Sequence, residues 1–405
     1  MRIRSVTLGV DASYPWNPDR FPVFGAFQQQ ARARFVEAGL DVQTVRLATQ
    51  PFPEVLREAG PTAAAPLAQS LEEACATHGI DYCSIGPVIA TAPDSDLSFI
   101  DSIPDVIRST EATFASVLVA EQGAGISLAA IERAAEAVAE IAESTSKGFG
   151  NLRLAVLANC GPGSPFFPVS YHGGGRPQFS IATEAADLAV EAFAAAASLT
   201  EADATLRAAI EKEARTIEEV SGSLVADFGY AFGGIDFSLA PFPETGRSLG
   251  HAIERLGIHA FGASGTLFAV AFIKRAIEAA AFDHCGFSGI MLPVLEDQTL
   301  AERSVDRTFD LDSLLLYSTV CGTGLDTIPL PGDVSVAEVA AILLDVATLS
   351  LVADKPLTAR LMPIPGKKAG EMTDFDFAYF ANARILETRG PGAPGIFDRA
   401  GFWQL

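Results

Sequence analysis

The chain has 405 residues, 50 acidic against 28 basic, for a net charge of −22. That surplus repels phosphate backbones and anionic membranes, which excludes nucleic acid and lipid surfaces as partners. Hydrophobic residues make up 49% of the chain, enough for a large core and against disorder, and the length suits two or three average domains or one α/β barrel. The apolar stretches Gly265–Ile273 and Ala340–Ala353 are too short for a membrane span or broken by Asp345. The run Val6–Val10 stops at Asp11 before it can form a signal-peptide core, so the expected compartment is the cytoplasm. Cysteines 75, 83, 160, 285 and 321 form no close pair of the kind used in redox or zinc motifs and are expected as reduced thiols.

The first seventy residues, punctuated by YPWNPDRFP and PFPEVLREAGPTAAAP around a helix from Phe24 to Ala38, read as an accessory segment (1–70) packed on the main domain. From Ser127, a plausible N-cap, Leu128, Ile131, Ala135, Val138 and Ile141 recur at helical spacing. LRLAVLAN then reads as a buried strand closed by the turn signal CGPGSP. Helices follow over Glu184–Leu199 and Asp203–Val225, the latter with Leu206, Ile210, Ile217 and Val220 on one stripe, and then the strand IDFSLAP. Helices Ser248–Leu256 and Thr266–Ala281, strand GIMLPV, helix Leu311–Val320, strand LDTIPL, helix Val336–Ala347 and strand LTARLMPI complete the series. Such alternation predicts an α/β chain with a largely parallel sheet, open or closed into a barrel. GPGAPG near residue 390 begins a surface tail (391–405) or a wrap over a neighbouring subunit, and the alanine-rich helices suit a homo-oligomer.

Polar clusters fall at the expected carboxyl ends of strands: Asn159 with CGPG, Pro241–Gly246, Glu296 with Asp297, and Gly366 with Lys367 and Lys368. Parallel α/β folds bind ligands at that edge, although βα loops are polar in general and this alone explains half of the signal. Glu296 and Asp297 follow GIMLPV and Asp326 opens LDTIPL; carboxylates converging there would serve acid/base roles, hold a divalent cation or bind sugar hydroxyls. The competing readings are a turn cap for Asp326 and a solvated loop charge for Glu296. YHGGGRP offers His172 as acid, base or ligand beside flexible glycines and Arg176, against a mobile surface hairpin. Its likeness to the HGGG element of esterases fails because the chain has no G-x-S-x-G elbow. Asp236, an acid inside an apolar strand, must be functional or paired with a residue such as Arg247. Cys321 has no local base and reads as an inert buried thiol, and the G-x-G-x-x-G at Gly390, Gly392 and Gly395 neither follows a strand nor opens a helix.

The strings GGIDFSLAPFPETG, FGASGT, CGFSGIMLPVLED, CGTGLDTIPLP and MPIPGKKAGEMTDF, preceded by FIDSIPDVIRS, GAGISL, LANCGPGSPF and YHGG, resemble in order and spacing the domain-of-unknown-function family 711 over roughly residues 75 to 385. The resemblance implies a closed α/β barrel of about ten strands with outer helices, similar to the pyruvate-formate-lyase-like glycyl-radical barrel and spanning 71–390 as one domain. It carries no established activity. Positions matching the family pattern are Asn159, His172, Asp236, Ser288, Glu296, Asp297, Cys321, Asp326 and Lys367; Ser264 stands where a histidine is expected and Arg176 where an acidic residue is usual. The barrel analogy also raises radical chemistry, but TRGPG at Thr388–Gly392 lacks the glycyl-radical pattern.

The function expected from these readings is a hydrolase or lyase, with a glycosidase as one form, acting on a small polar substrate. Glu296, Asp326 and His172 are the catalytic groups, and Asn159, Arg176, Asp236, Ser264, Ser288 and Lys367 contact the substrate. No cofactor is required, with a divalent cation at Glu296, Asp297 and Asp326 as the metal-bearing variant. The alternatives are a non-catalytic binder of a metabolite or cation and, third, a radical or thiol enzyme using Cys321.

Overall fold

The computed structural model describes residues 1–399 and 401–404. Helix boundaries follow local chemistry. Ser127 Oγ accepts from the amide of Ala130 and opens Leu128–Ser144, Ser335 and Glu338 form a reciprocal capping box for Val336–Val352, and Gly229, at φ 70°, ends Leu199–Phe228. On the last helix Leu206, Ile210, Ile217 and Leu224 are fully buried on one stripe, each contributing about 1.5–3 kcal/mol to its docking. Among the described residues no helix is long and apolar enough to cross a membrane.

The strands are β1 (Arg2–Gly9), β2 (Val42–Ala48), β3 (Tyr82–Ile89), β4 (Thr113–Glu121), β5 (Gly125–Ser127), β6 (Leu154–Ala158), β7 (Gln178–Glu184), β8 (Ala231–Ala240), β9 (Gly324–Pro331), β10 (Leu357–Ile364) and β11 (Phe402–Trp403). They form one sheet in the order β8-β7-β1-β2-β3-β4-β6-β10-β9, with β5 and β11 attached beside β4. The five central strands, β1-β2-β3-β4-β6, run parallel. Each flank is a parallel pair running the opposite way, β7 with β8 and β10 with β9. The result is a mixed α/β sheet with no single carboxyl edge.

Alternation sorts the side chains into two layers. In β6, Leu154, Val156 and Ala158 pack outward into the main core under the helices, while Ala155 and Leu157 face the other way. There they meet Leu118 of β4, Ala182 of β7 and Ala240 of β8, around Phe166 and Val169 of the β6–β7 loop and Phe287 and Met291. Residues of β4 and β6 thus share one inner cluster with residues of β7 and β8, from which they are well separated in the strand order.

Four expectations change. The supposed accessory segment supplies β1 and β2, which lie in the middle of the sheet; its proline punctuation belongs to the βα loops, not to a separate unit. GIMLPV makes no regular ladder. The segment from Asp283 to Val294 instead bonds to β8 through Ile235 and Leu239 and to the β9 side through Cys321 and Asp326. Glu184 ends β7, and the helix expected from it runs only over Ala186–Ala195. The tail is docked in part, with Phe397 buried and Phe402 and Trp403 paired to β5.

Candidate functional site

Arginines interrupt three otherwise apolar strands. Arg4 sits in β1, Arg46 in β2 and Arg360 in β10, and the strand geometry turns all three toward the inner face. Pairing of β1 with β7 slips by one residue between Ile3 and Ser5, which brings Arg4 round to the side that Ser5 also faces. Pairing of β10 with β9 slips between Ala359 and Leu361, so that Arg360 stands opposite both Asp326 and Thr327. Thr327 takes φ 44°, a costly conformation for a β-branched residue, and its buried hydroxyl has no partner. Two bulges and a strained residue therefore converge on one spot, the pattern by which sheets re-aim side chains at functional sites.

The aimed groups form a chain of charge. Glu184, at the end of β7, receives Arg2 at 2.9 Å, Arg247, and Arg4 at 3.6 Å. Glu296 is gripped by Arg4 on one oxygen and by Arg360, at 2.7 Å, on the other. Arg360 Nε also donates to Asp326 Oδ1 at 2.6 Å. Burial works against the charge on Glu296, but Arg4 and Arg360 more than offset it and hold this carboxyl below the usual carboxylate range. Burial likewise opposes charge on Arg4 and Arg360; the carboxylates of Glu296 and Glu184 around the first, and of Asp326 and Glu296 around the second, keep both guanidinium groups above their ordinary value. Glu296 has both oxygens engaged. Asp326 Oδ2 accepts no hydrogen bond among the described residues.

Arg46 differs from its neighbours. It is 7% exposed, its Nε donates to Thr44 Oγ1 at 2.8 Å, and among the described residues it has no carboxylate partner. Its guanidinium lies 5.1 Å from the ring centre of Phe167 and 5.6 Å from that of Tyr82. Burial, and then the charge of Arg4, pull it down to about 9. Arg46 faces a solvent-connected pocket walled by Tyr82, Phe114, Phe167, Phe377 and Tyr379 and floored by Arg4, Glu296, Asp326 and Arg360. Counted together, Arg2, Arg4, Arg46, Arg247 and Arg360 face Glu184, Glu296 and Asp326, so a protein of net charge −22 concentrates positive charge in its interior.

The pocket is lined mainly from the amino-terminal halves of β1 to β4, β9 and β10, not from the expected carboxyl ends. Glu296 and Asp326 are brought together there through Arg360. Asp236 is fully buried beneath it, and its carboxyl accepts from the amides of Ser238, Phe287 and Ser288 and from the Ser238 hydroxyl. Burial pushes it up to about 6 against those four bonds, which pin the segment carrying Phe287 and Met291. Ser288, at φ 36°, belongs to the same knot, and Arg247, considered above as a partner for Asp236, goes to Glu184 instead.

The remaining candidates lie elsewhere. Asn159 Oδ1 accepts from Gln122 N and its amide donates to Ser350, so it fastens a turn. Lys367 faces Asp374 at 3.8 Å and Ser264 is exposed ahead of the helix Thr266–Ala279; neither lines the pocket. His172 and Arg176 line a second chamber at the carboxyl ends of β1 and β2, though the Arg176 guanidinium turns away to Gly229 O. The Cys321 sulfur accepts from Thr323 N at 3.4 Å and meets no imidazole or amine among its hydrogen-bond partners.

Asp297 is a fold-holding residue. Its carboxylate accepts from Ser248 Oγ and from the amides of Leu249, Gly250, Thr299 and Leu300, tying together the starts of helices Leu249–Arg255 and Gln298–Asp306. Among the described residues no group of three or more His, Cys, Asp or Glu side chains is placed to hold a metal ion, and the trio of Glu296, Asp297 and Asp326 therefore does not form one. Asp297→Ala is expected to lower unfolding free energy by about 2–4 kcal/mol in urea titrations, since a cap and two buried amides lose their acceptor. Ligand response per folded molecule should be unchanged; a loss of response would reassign Asp297 to the site.

The family model described as Uncharacterised ACR (DUF711) matches residues 1–379, so the likeness reaches the amino terminus, where the motif comparison expected little. A UPF0210 protein of Methanopyrus kandleri is 33% identical over 398 residues, covering 91% of this chain and 87% of its own length. One from Pyrobaculum arsenaticum is 34% identical over 380 residues, covering 88% and 84%, and one from Oleidesulfovibrio alaskensis is 29% identical over 428 residues, covering 98% and 93%.

Proposed function

Given that the chain belongs to the DUF711 family, we propose that it is an enzyme acting on a small organic anion, a carboxylate attached to an apolar or aromatic body, bound in the interior pocket beside Arg46. The observation carrying this reading is Arg46 itself: a buried cation with aromatic neighbours, no carboxylate partner and a pocket in front of it. Desolvating such a charge is expensive unless something answers it, and a planar carboxylate matches the guanidinium fork. The aromatic wall then takes the rest of the substrate.

The reaction class is a hydrolase or lyase step. Asp326, with one oxygen oriented by Arg360 and the other unengaged, is the general base, and Glu296 holds Arg4 and Arg360 in place. A glycosidase would need a protonated carboxyl as acid, which Glu296 between two arginines does not offer. The closed barrel implied by the family resemblance is part of the same reading. It is supported by the shared inner cluster and by the segment from Asp283 to Val294, which stands between β8 and β9 as an irregular tenth strand.

Thermal-shift titration with benzoate, phenylpyruvate and mandelate, followed by turnover assays on hydroxy acids and their O-acetyl esters, which keep the carboxylate free, tests the proposal. At least one carboxylate should stabilise the fold, and Asp326→Asn should retain that binding while losing about 10²-fold or more in turnover. No stabilisation by any carboxylate would sink the anion reading. Binding without turnover in both forms would leave a binding protein.

A further inference from the structure

We propose that the chamber at the carboxyl ends of β1 and β2 is a second ligand site, independent of the interior pocket and built for a neutral polyhydroxylated molecule of monosaccharide or cyclitol type. The two spaces share one loop. Phe166 to Val169 of the β6–β7 connection wall the interior pocket, whereas Ser164, Ser170 and His172 of the same connection wall this chamber, of about 160 Å³.

The first sign of a missing ligand is His172. Its side chain is only 7% exposed, and its Nε2 is buried without a hydrogen-bond partner; the nearest charge, Asp11 Oδ1, stands 3.5 Å away. Buried polar atoms are nearly always satisfied, and Nε2 has only this long carboxylate contact, so a small turn of the ring toward the chamber would let it take a hydrogen bond from a group supplied from outside. Apart from such a turn the ring is held firmly. The His172 amide donates to Thr49 O at 2.9 Å, and the ring packs so closely on Gly9 that a Cβ there would come within 2.8 Å of Nδ1. Burial pulls the imidazole below its ordinary pKa, with Asp11 and the Gly175 backbone offsetting this only in part, so at neutral pH the ring is neutral and can accept a hydrogen bond from a hydroxyl.

The wall chemistry selects the ligand. Thr7, Ser164, Ser170, Gln178 and Ser180 supply hydroxyls and an amide, groups that both donate and accept. The Ser170 hydroxyl and the Gln178 amide engage no other protein group by hydrogen bond among the described residues. Gly233 keeps space for them, since a Cβ there would fall 2.2 Å from Gln178 Nε2 and 2.5 Å from Ser180 Oγ. The single cation on the wall, Arg176, gives Nε and Nη2 to Gly229 O, so the fork that would grip an anion through two parallel bonds is already in use. A hydroxyl-rich neutral molecule answers the Ser170 hydroxyl and the Gln178 amide, while Thr7 and Ser164 already bond to Pro165 O and Phe166 N.

The chain has five histidines, so a ¹H–¹⁵N spectrum of the imidazoles is simple enough to assign His172 by its loss in His172→Gln. Titration with myo-inositol, D-glucose and D-ribose should shift the His172 resonance saturably for at least one of them. Ser170→Ala and Gln178→Ala should each weaken that binding about tenfold, with the other four histidine signals unmoved as the check on folding. Arg46→Met should bind the polyol as the wild type does, which separates this site from the interior pocket. A His172 signal unmoved by all three polyols, or moved by inorganic phosphate and by none of them, would overturn the proposal.

Discussion

Glu296→Gln is expected to lower the unfolding free energy by about 3–5 kcal/mol at pH 7, the range found when one partner of a buried ion pair is removed. One carboxylate here answers two guanidinium groups, and both are largely buried: Arg360 is 8% exposed and Arg4 15% at the side chain. Arg4 keeps Glu184 only at 3.6 Å, and Arg360 keeps Asp326 at 2.6 Å, so the loss is partial but real. The pH dependence has a defined sign. A carboxyl held below its unfolded value contributes stability that is fully present above about pH 4.3 and is lost as pH falls through its folded value. Urea midpoints measured from pH 3 to 7 should therefore show wild type and variant converging at the acid end. A gap under about 1 kcal/mol at pH 7 would mean that the charge chain is solvated and does not hold the pocket together.

Arg46→Met is expected to do the opposite to stability and far more to function. Exchanging an unpaired buried cation for an apolar side chain of similar length should raise unfolding free energy by about 1–3 kcal/mol, because desolvation is relieved and Tyr82 and Phe167 still pack against the stem. The same change should abolish stabilisation by carboxylates and reduce turnover by about 10² or more, since nothing else in the pocket is a free anion receptor. Arg46→Lys should not restore binding, as a point charge cannot make the bidentate contact. A variant that is both less stable and still carboxylate-responsive would show that Arg46 is a structural residue. Stability given up at a functional position is the general pattern for binding sites.

Much of the framework was readable from pattern. Helix Leu128–Ser144 with its Ser127 cap and strand β10 over LTARLMPI appear where periodicity and apolar runs put them. GIMLPV misled because an apolar run records burial, and this segment is buried while its backbone is held at three separate points, with no ladder along its length. At the site, Glu296 and Asp326 were legible as carboxylates beside strands, but their partners were not. The signal was present: the reasoning that singles out Asp236, a charge inside an apolar strand, applies equally to Arg4 in RIRSVTLG, Arg46 in VQTVRLA and Arg360 in LTARLMPI. Which end of each strand would line the pocket could not be read, because the direction of the flanking pairs is set by two antiparallel junctions, β1 with β7 and β6 with β10, each joining residues far apart in the chain.

The first of those junctions shapes how the protein must be made. β1 leaves the ribosome shortly before β2, but the other neighbour of β1 begins at Gln178, roughly 170 residues later. At about 5–20 residues per second the flank of a central strand waits on the order of ten to thirty seconds with its amides and carbonyls unpaired. During that interval Ile3, Val6 and Leu8 alternate along an open edge, the kind of surface that recruits other nascent chains or a chaperone. A strand that ends up at the centre of the sheet is thus, for its first moments, the part of the molecule most open to the wrong partner.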